Sequence, residues 1–152
     1  MHLRTTLVTC LILSACMAVQ EWDIFSDRGV NITFAHDPAY VRDTEVTQEN
    51  IQFDGKDIPV STIALRKGEG ESSFIQVLQT KDPTILAYLL SDTILSEKVS
   101  LEDMDAQVFR QEGMGEPIHY LFQKNDLYIV LSFVFAPSQT DIDRTLSSVV
   151  LR

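Results

Sequence analysis

The amino-acid order predicts an α+β fold, an antiparallel sheet flanked by helices, and three observations support it. Residues 51–65 read as two strands about Asp54-Gly55, a strong short-range hairpin signal. The stretch Tyr128-Ile129-Val130-Leu131-Ser132-Phe133-Val134-Phe135 is almost continuously apolar, as a strand covered on both faces requires. Two segments, about 83–91 and the C-terminal stretch after Pro137, switch to helical spacing and supply the covers.

Along the chain, Val30-Asn31-Ile32-Thr33-Phe34-Ala35 alternates apolar with smaller or polar residues, predicting a strand that Asp37-Pro38 ends. Ile51–Phe53 and Ile58–Leu65 form the hairpin, and Lys67-Gly68-Glu69-Gly70-Glu71 turns the chain toward a strand at Phe74–Thr80. Asp82 suits an N-cap and Pro83 the first helical position, with Ile85, Leu86, Leu89 and Leu90 in one stripe. Three strands follow, at Ala106–Gln111, Ile118–Gln123 and Leu127–Phe135; Lys124-Asn125-Asp126 joins the last two. Ser138 and Asp141 then form a capping pair before a helical stripe of Ile142, Leu146, Val149 and Val150.

The chain has 152 residues, 12 basic and 22 acidic, for a formal charge of −10. That length suits one domain, and the charge disfavours nucleic acid and anionic surfaces as partners. Both cysteines, Cys10 and Cys16, lie near the N-terminus, so no disulfide staples the remainder.

Arg4 precedes the apolar run Leu7–Leu13, and Ser14-Ala15 closes it, the plan of a secretory signal peptide. The run is far shorter than the ~20 apolar residues a spanning helix needs. Leu13-Ser14-Ala15-Cys16 resembles the lipobox of bacterial lipoproteins. The resemblance implies cleavage before Cys16 and diacylglycerol on its thiol. The alternative is conventional cleavage, for example after Ala18. The implied organisation is a signal peptide at 1–15, a short tether at 16–21 and an α+β domain at 22–152. The mature charge becomes 11 − 22 = −11 once Arg4 is removed. Acyl chains, at about 0.8 kcal/mol per buried methylene, rather than electrostatics would then hold the protein at a membrane. Met17 follows Cys16 where inner-membrane lipoproteins often have Asp, which favours the outer membrane in a Gram-negative cell.

The element order, with Trp22-Asp23-Ile24-Phe25 as an aromatic-containing entry, resembles the PsbP-like αβα sandwich. The resemblance rests on that order, on Ile32-Thr33-Phe34-Ala35-His36-Asp37-Pro38, and on Tyr120-Leu121-Phe122 to Phe135. That family includes photosystem accessory subunits, a nuclear-transport factor that binds the GTPase Ran, and many bacterial lipoproteins. It implies binding or assembly support without catalysis and provides no functional residue to transfer. His36 and Asp37 stand where many such bacterial chains have an aromatic residue before proline.

The sequence therefore leads to a non-catalytic lipoprotein that binds a protein partner in the cell envelope, without a cofactor. The rival is an envelope hydrolase or small-ligand enzyme that uses carboxylates with His36 or His119. His36-Asp37 has the residue types of a proton relay or metal pair. With His119 as the only other histidine after the leader, the ligands for a zinc site are too few. Glu102-Asp103-Met104-Asp105 is rich in oxygen ligands, but it lacks the glycine and terminal glutamate of an EF-hand loop and reads as a solvated segment.

Overall fold

The computed structural model describes residues 21–43, 45–68, 73–111, 113, 115–135 and 138–152. Strands hold 54% of the described residues and helices 14%. The fold is thus β-rich, and the expected α+β αβα sandwich is incorrect.

The larger sheet is antiparallel. It contains β3 (Tyr40–Arg42), β4 (Thr47–Phe53), β5 (Lys56–Lys67), β6 (Phe74–Thr80), β7 (Leu95–Ser100), β8 (Asp105–Arg110), β9 (Ile118–Lys124) and β10 (Leu127–Val134), ordered β3-β5-β6-β10-β9-β8-β7. The long strand β5 pairs with β4 through residues 56–62 and with β3 through 65–67. Asp54 and Gly55 form the predicted two-residue turn with φ of 50° and 72°. Both residues therefore occupy the left-handed region that strand twist favours in such hairpins.

Strand β10 is central, with residues 129–133 all buried. Ile129, Leu131 and Phe133 face one core, and Val130 faces the other. The predicted double cover is present, but its layers differ from those expected. On the second face, α1 (Thr84–Ser91) packs Ile85 and Leu89 against Ile58, Leu78, Phe109 and Leu121. Asp82 Oδ1 accepts the Thr84 N–H at 2.9 Å, which starts the helix. Leu90, expected in the apolar stripe, is instead 51% exposed.

The other face is covered by a small antiparallel sheet as well as by a helix. β1 (Asp23–Ser26), β2 (Ile32–His36) and β11 (Val150–Leu151) form this sheet in the order β1-β2-β11. Phe25, Ile32 and Phe34 join the core with Ile142 and Leu146 of α2 (Gln139–Ser147). This sheet replaces the helical layer because segments on either side of β2 complete its ladders. Its flanking strands are too short for their periodicity to reveal them.

The Ser138–Asp141 cap forms in both directions: Ser138 Oγ accepts from Asp141 N at 3.2 Å and donates to Asp141 Oδ2 at 2.8 Å. The helix stops before the expected Val149-Val150 stripe. Ser148 Oγ donates to Thr145 O at 2.6 Å and accepts the Ala35 N–H at 2.7 Å, tying the helix end to β2. Val149 remains buried, whereas Val150 pairs with Thr33 and is exposed. At the chain entry, the Arg144 guanidinium lies 4.2 Å from the Trp22 ring centroid and joins α2 to the residue before β1.

Candidate functional site

Strand β2 runs between two openings of the sandwich, with Ile32 and Phe34 filling the space between them. At its C-terminal opening, register places Phe25 opposite Phe34 and Asp23 opposite His36. The two phenyl rings stack with centroids 4.8 Å apart, and His36 meets Phe34 edge-on at 6.2 Å. This aromatic row fixes the imidazole against the core, where it is 5% exposed.

His36 Nδ1 lies 2.9 Å from Asp37 O. Because a carbonyl oxygen only accepts, Nδ1 carries the proton of this contact. Asp37 Oδ1 accepts the Ala39 N–H at 2.9 Å, forming the turn that leads to β3. Asp23, His36, Tyr40 and Arg42 line a cleft of about 380 Å³ at this opening. The Arg42 guanidinium meets Asp27 at 2.6 Å. The Gly29 N–H, followed by Arg42, holds the Asp27 carboxyl below its ordinary range. The cleft therefore combines an imidazole, a carboxylate and a guanidinium already neutralised by Asp27, an arrangement suited to binding a small polar group.

His119 lies elsewhere. On β9 it faces Ser132 of β10 and Phe109 of β8, on the side of the large sheet that α1 covers. Its Nδ1 is 2.7 Å from Ser132 Oγ, and Ser132 is 3% exposed. Burial pushes the imidazole down to about 4, so it is neutral at pH 7. The large sheet separates His119 from His36, and His119 does not line the His36 cleft.

In the acidic stretch, Asp105 meets Lys98 Nζ at 2.5 Å and accepts from Ser100 Oγ at 2.9 Å. The Lys98 contact, then Ser100, lowers the Asp105 carboxyl. This carboxylate is thus part of a cross-strand pair between β7 and β8. Among the described residues, no three of His, Cys, Asp or Glu converge in a group suited to a metal ion. The leader, Cys16, all but the last residue of the tether, and the Glu69-Gly70-Glu71 part of the predicted turn lie outside the described residues.

Adjacency in sequence directs attention to Asp37, whereas sheet register brings Asp23 opposite His36. The only sequence signal for that pairing is the matching alternation of Asp23-x-Phe25 and Phe34-x-His36. Compared with protein-family models, curated proteins and solved structures, the chain matches none.

Proposed function

We propose that the chain is an exported lipoprotein, anchored through Cys16, whose β-rich domain is a non-catalytic binding or assembly module with a protein partner in the cell envelope. The observation that carries the reading is Leu13-Ser14-Ala15-Cys16 at the end of a basic and then apolar leader. Six residues, 16–21, separate that cysteine from Trp22, a reach of only ~20 Å when extended. An anchor there keeps the domain at the membrane surface. No helix among the described residues is long and apolar enough to span a membrane. In a Gram-negative cell, Met17 after the cysteine favours the outer membrane.

The binding role is supported by a polar cleft at His36 and by the engagement of half-buried His119 with the buried Ser132 on the α1 side of the sheet. Intact-mass measurement of native protein tests the anchor. The expected mass is that of a chain beginning at Cys16 plus acyl groups, with Cys16→Ser moving the protein from the membrane fraction to the soluble fraction. A mature chain lacking Cys16 refutes the anchor. Membrane-retaining crosslinking of native protein tests the binding role, with one reproducible envelope partner expected and no crosslinked species counting against it.

A further inference from the structure

We propose that the opening of the sandwich opposite the His36 cleft is a binding site for a phosphate group. At this end of β2, Lys81, Lys124 and Arg152 line a cleft of about 230 Å³ together with Asn31, Gln79 and Asp126. Counted over side chains alone, the three cations and one carboxylate sum to 3 − 1 = +2, in a chain whose side chains sum to −10. A phosphate monoester, with a charge of about −1.5 to −2 at neutral pH, is the complementary ligand.

Two of these cations are positioned by main-chain carbonyls. Lys124 Nζ donates to Leu151 O at 2.9 Å, and Arg152 Nη2 donates to Val30 O at 3.1 Å and to Asp27 O. Main-chain carbonyls orient both side chains, and the Asp27 carboxylate also acts electrostatically on Arg152. The Asp27 carboxylate is shared with Arg42, which it meets at 2.6 Å. Lys81 meets the Asp126 carboxylate within the cleft at 3.2 Å, and both side chains are more than 70% exposed.

The amides contribute a second ligand-binding feature. Gln79 Oε1 accepts both the Asn31 main-chain N–H at 2.6 Å and Asn31 Nδ2 at 3.2 Å, which fixes the two side chains in the lining. A fixed guanidinium, a fixed ammonium and neutral amide donors together form a phosphate-recognition set. Because the cations are exposed, water and salt screen them, and the expected dissociation constant for inorganic phosphate is on the order of 1 mM. The same phosphate chemistry is present in a free anion and in a lipid headgroup. This inference concerns a different part of the surface from Cys16 and does not depend on lipidation.

The test is an amide chemical-shift titration of the native processed chain in neutral detergent, with chloride matching ionic strength throughout. Inorganic phosphate is added in one arm and dihexanoyl phosphatidate, below its micellar concentration, in the other. Saturable shifts at Asn31, Asn125 and Arg152 in either arm support the site. A tenfold or greater loss of affinity is expected in K124Q/R152Q, with affinity unchanged in K98Q. Saturation by phosphate alone identifies a free anion as the ligand, and tighter saturation by phosphatidate identifies a headgroup. Thermal melts confirm that the variants fold. Linear, unsaturable shifts in both arms, or saturation that K124Q/R152Q leaves unchanged, overturn the proposal.

Discussion

Replacing His119 with glutamine should flatten the dependence of stability on pH between about 7.5 and 5. The folded imidazole is depressed from 6.5 to about 4 by burial alone, with no charged group contributing to the shift. A depressed histidine binds its proton more readily in the unfolded chain. Its stabilising contribution is therefore complete above the unfolded value and falls as pH drops from 6.5 toward 4. The full difference corresponds to about 3 kcal/mol, reached near the folded value, and about 2 kcal/mol of it is lost by about pH 5.

The carboxylates act in a separate window. Asp27, Asp82, Asp105 and Asp126 all have folded values lowered from 3.8, so stability linked to them is present above that value and lost below it. Urea unfolding at about pH 7.5, 6 and 5 thus isolates the histidine. The expected result is a wild-type loss of about 2 kcal/mol across that range, with His119→Gln losing less than about 0.5 kcal/mol. Glutamine retains an amide for Ser132, so the two proteins should be closest in stability at the acid end. Equal losses in both proteins, or a His119 ring proton titrating near its ordinary value in the folded state, would refute the reasoning.

Leu131→Ala opens a cavity at the centre of β10 and should cost about 2–5 kcal/mol in urea unfolding, whereas the same change at the exposed Val150 should cost under about 0.5 kcal/mol. Ser138→Ala removes both side-chain bonds of the α2 cap and should cost about 1 kcal/mol, with loss of helical circular dichroism on mild heating. At Gly55, φ is 72° and an added Cβ meets nothing within 4 Å. Gly55→Ala should therefore cost about 1 kcal/mol from backbone conformation alone, while the hairpin amides retain their exchange protection.

Much of the larger sheet was legible because its inner strands have a repeating apolar signal. β10 has five consecutive buried residues, and β5 and β6 alternate between two cores, so their sequence patterns reveal both position and cover. β7 has no comparable signal: Leu95–Ser100 is an edge strand with one half-buried residue, and charged residues suit such an edge. β1 and β11 are shorter than one period of reliable alternation, and their strand conformation depends on the ladders of β2. Val150 shows how that misleads. Its spacing from Leu146 fits a helix, but the competing pairing with Thr33 wins once Ser148 has closed the last turn of α2.

The candidate sites differ in legibility for the same reason. A lipobox is contiguous, so Cys16 can be read from its neighbours, whereas a cleft is assembled from residues that chain topology brings together. Asp23 and His36 meet through register, and Lys81, Lys124 and Arg152 meet because β6, β9 and the residue after β11 end on one side of the sandwich. His36 and Asn31 share the flanks of one strand but point to opposite openings, with Phe34 and Ile32 sealing the space between. One short β-strand thus separates an imidazole-lined cleft from a lysine- and arginine-lined one. Their independence has a direct consequence: K124Q/R152Q should leave the His36 ring resonances unchanged in the folded protein. A shift there would mean that the core between the two openings yields to changes at its surface.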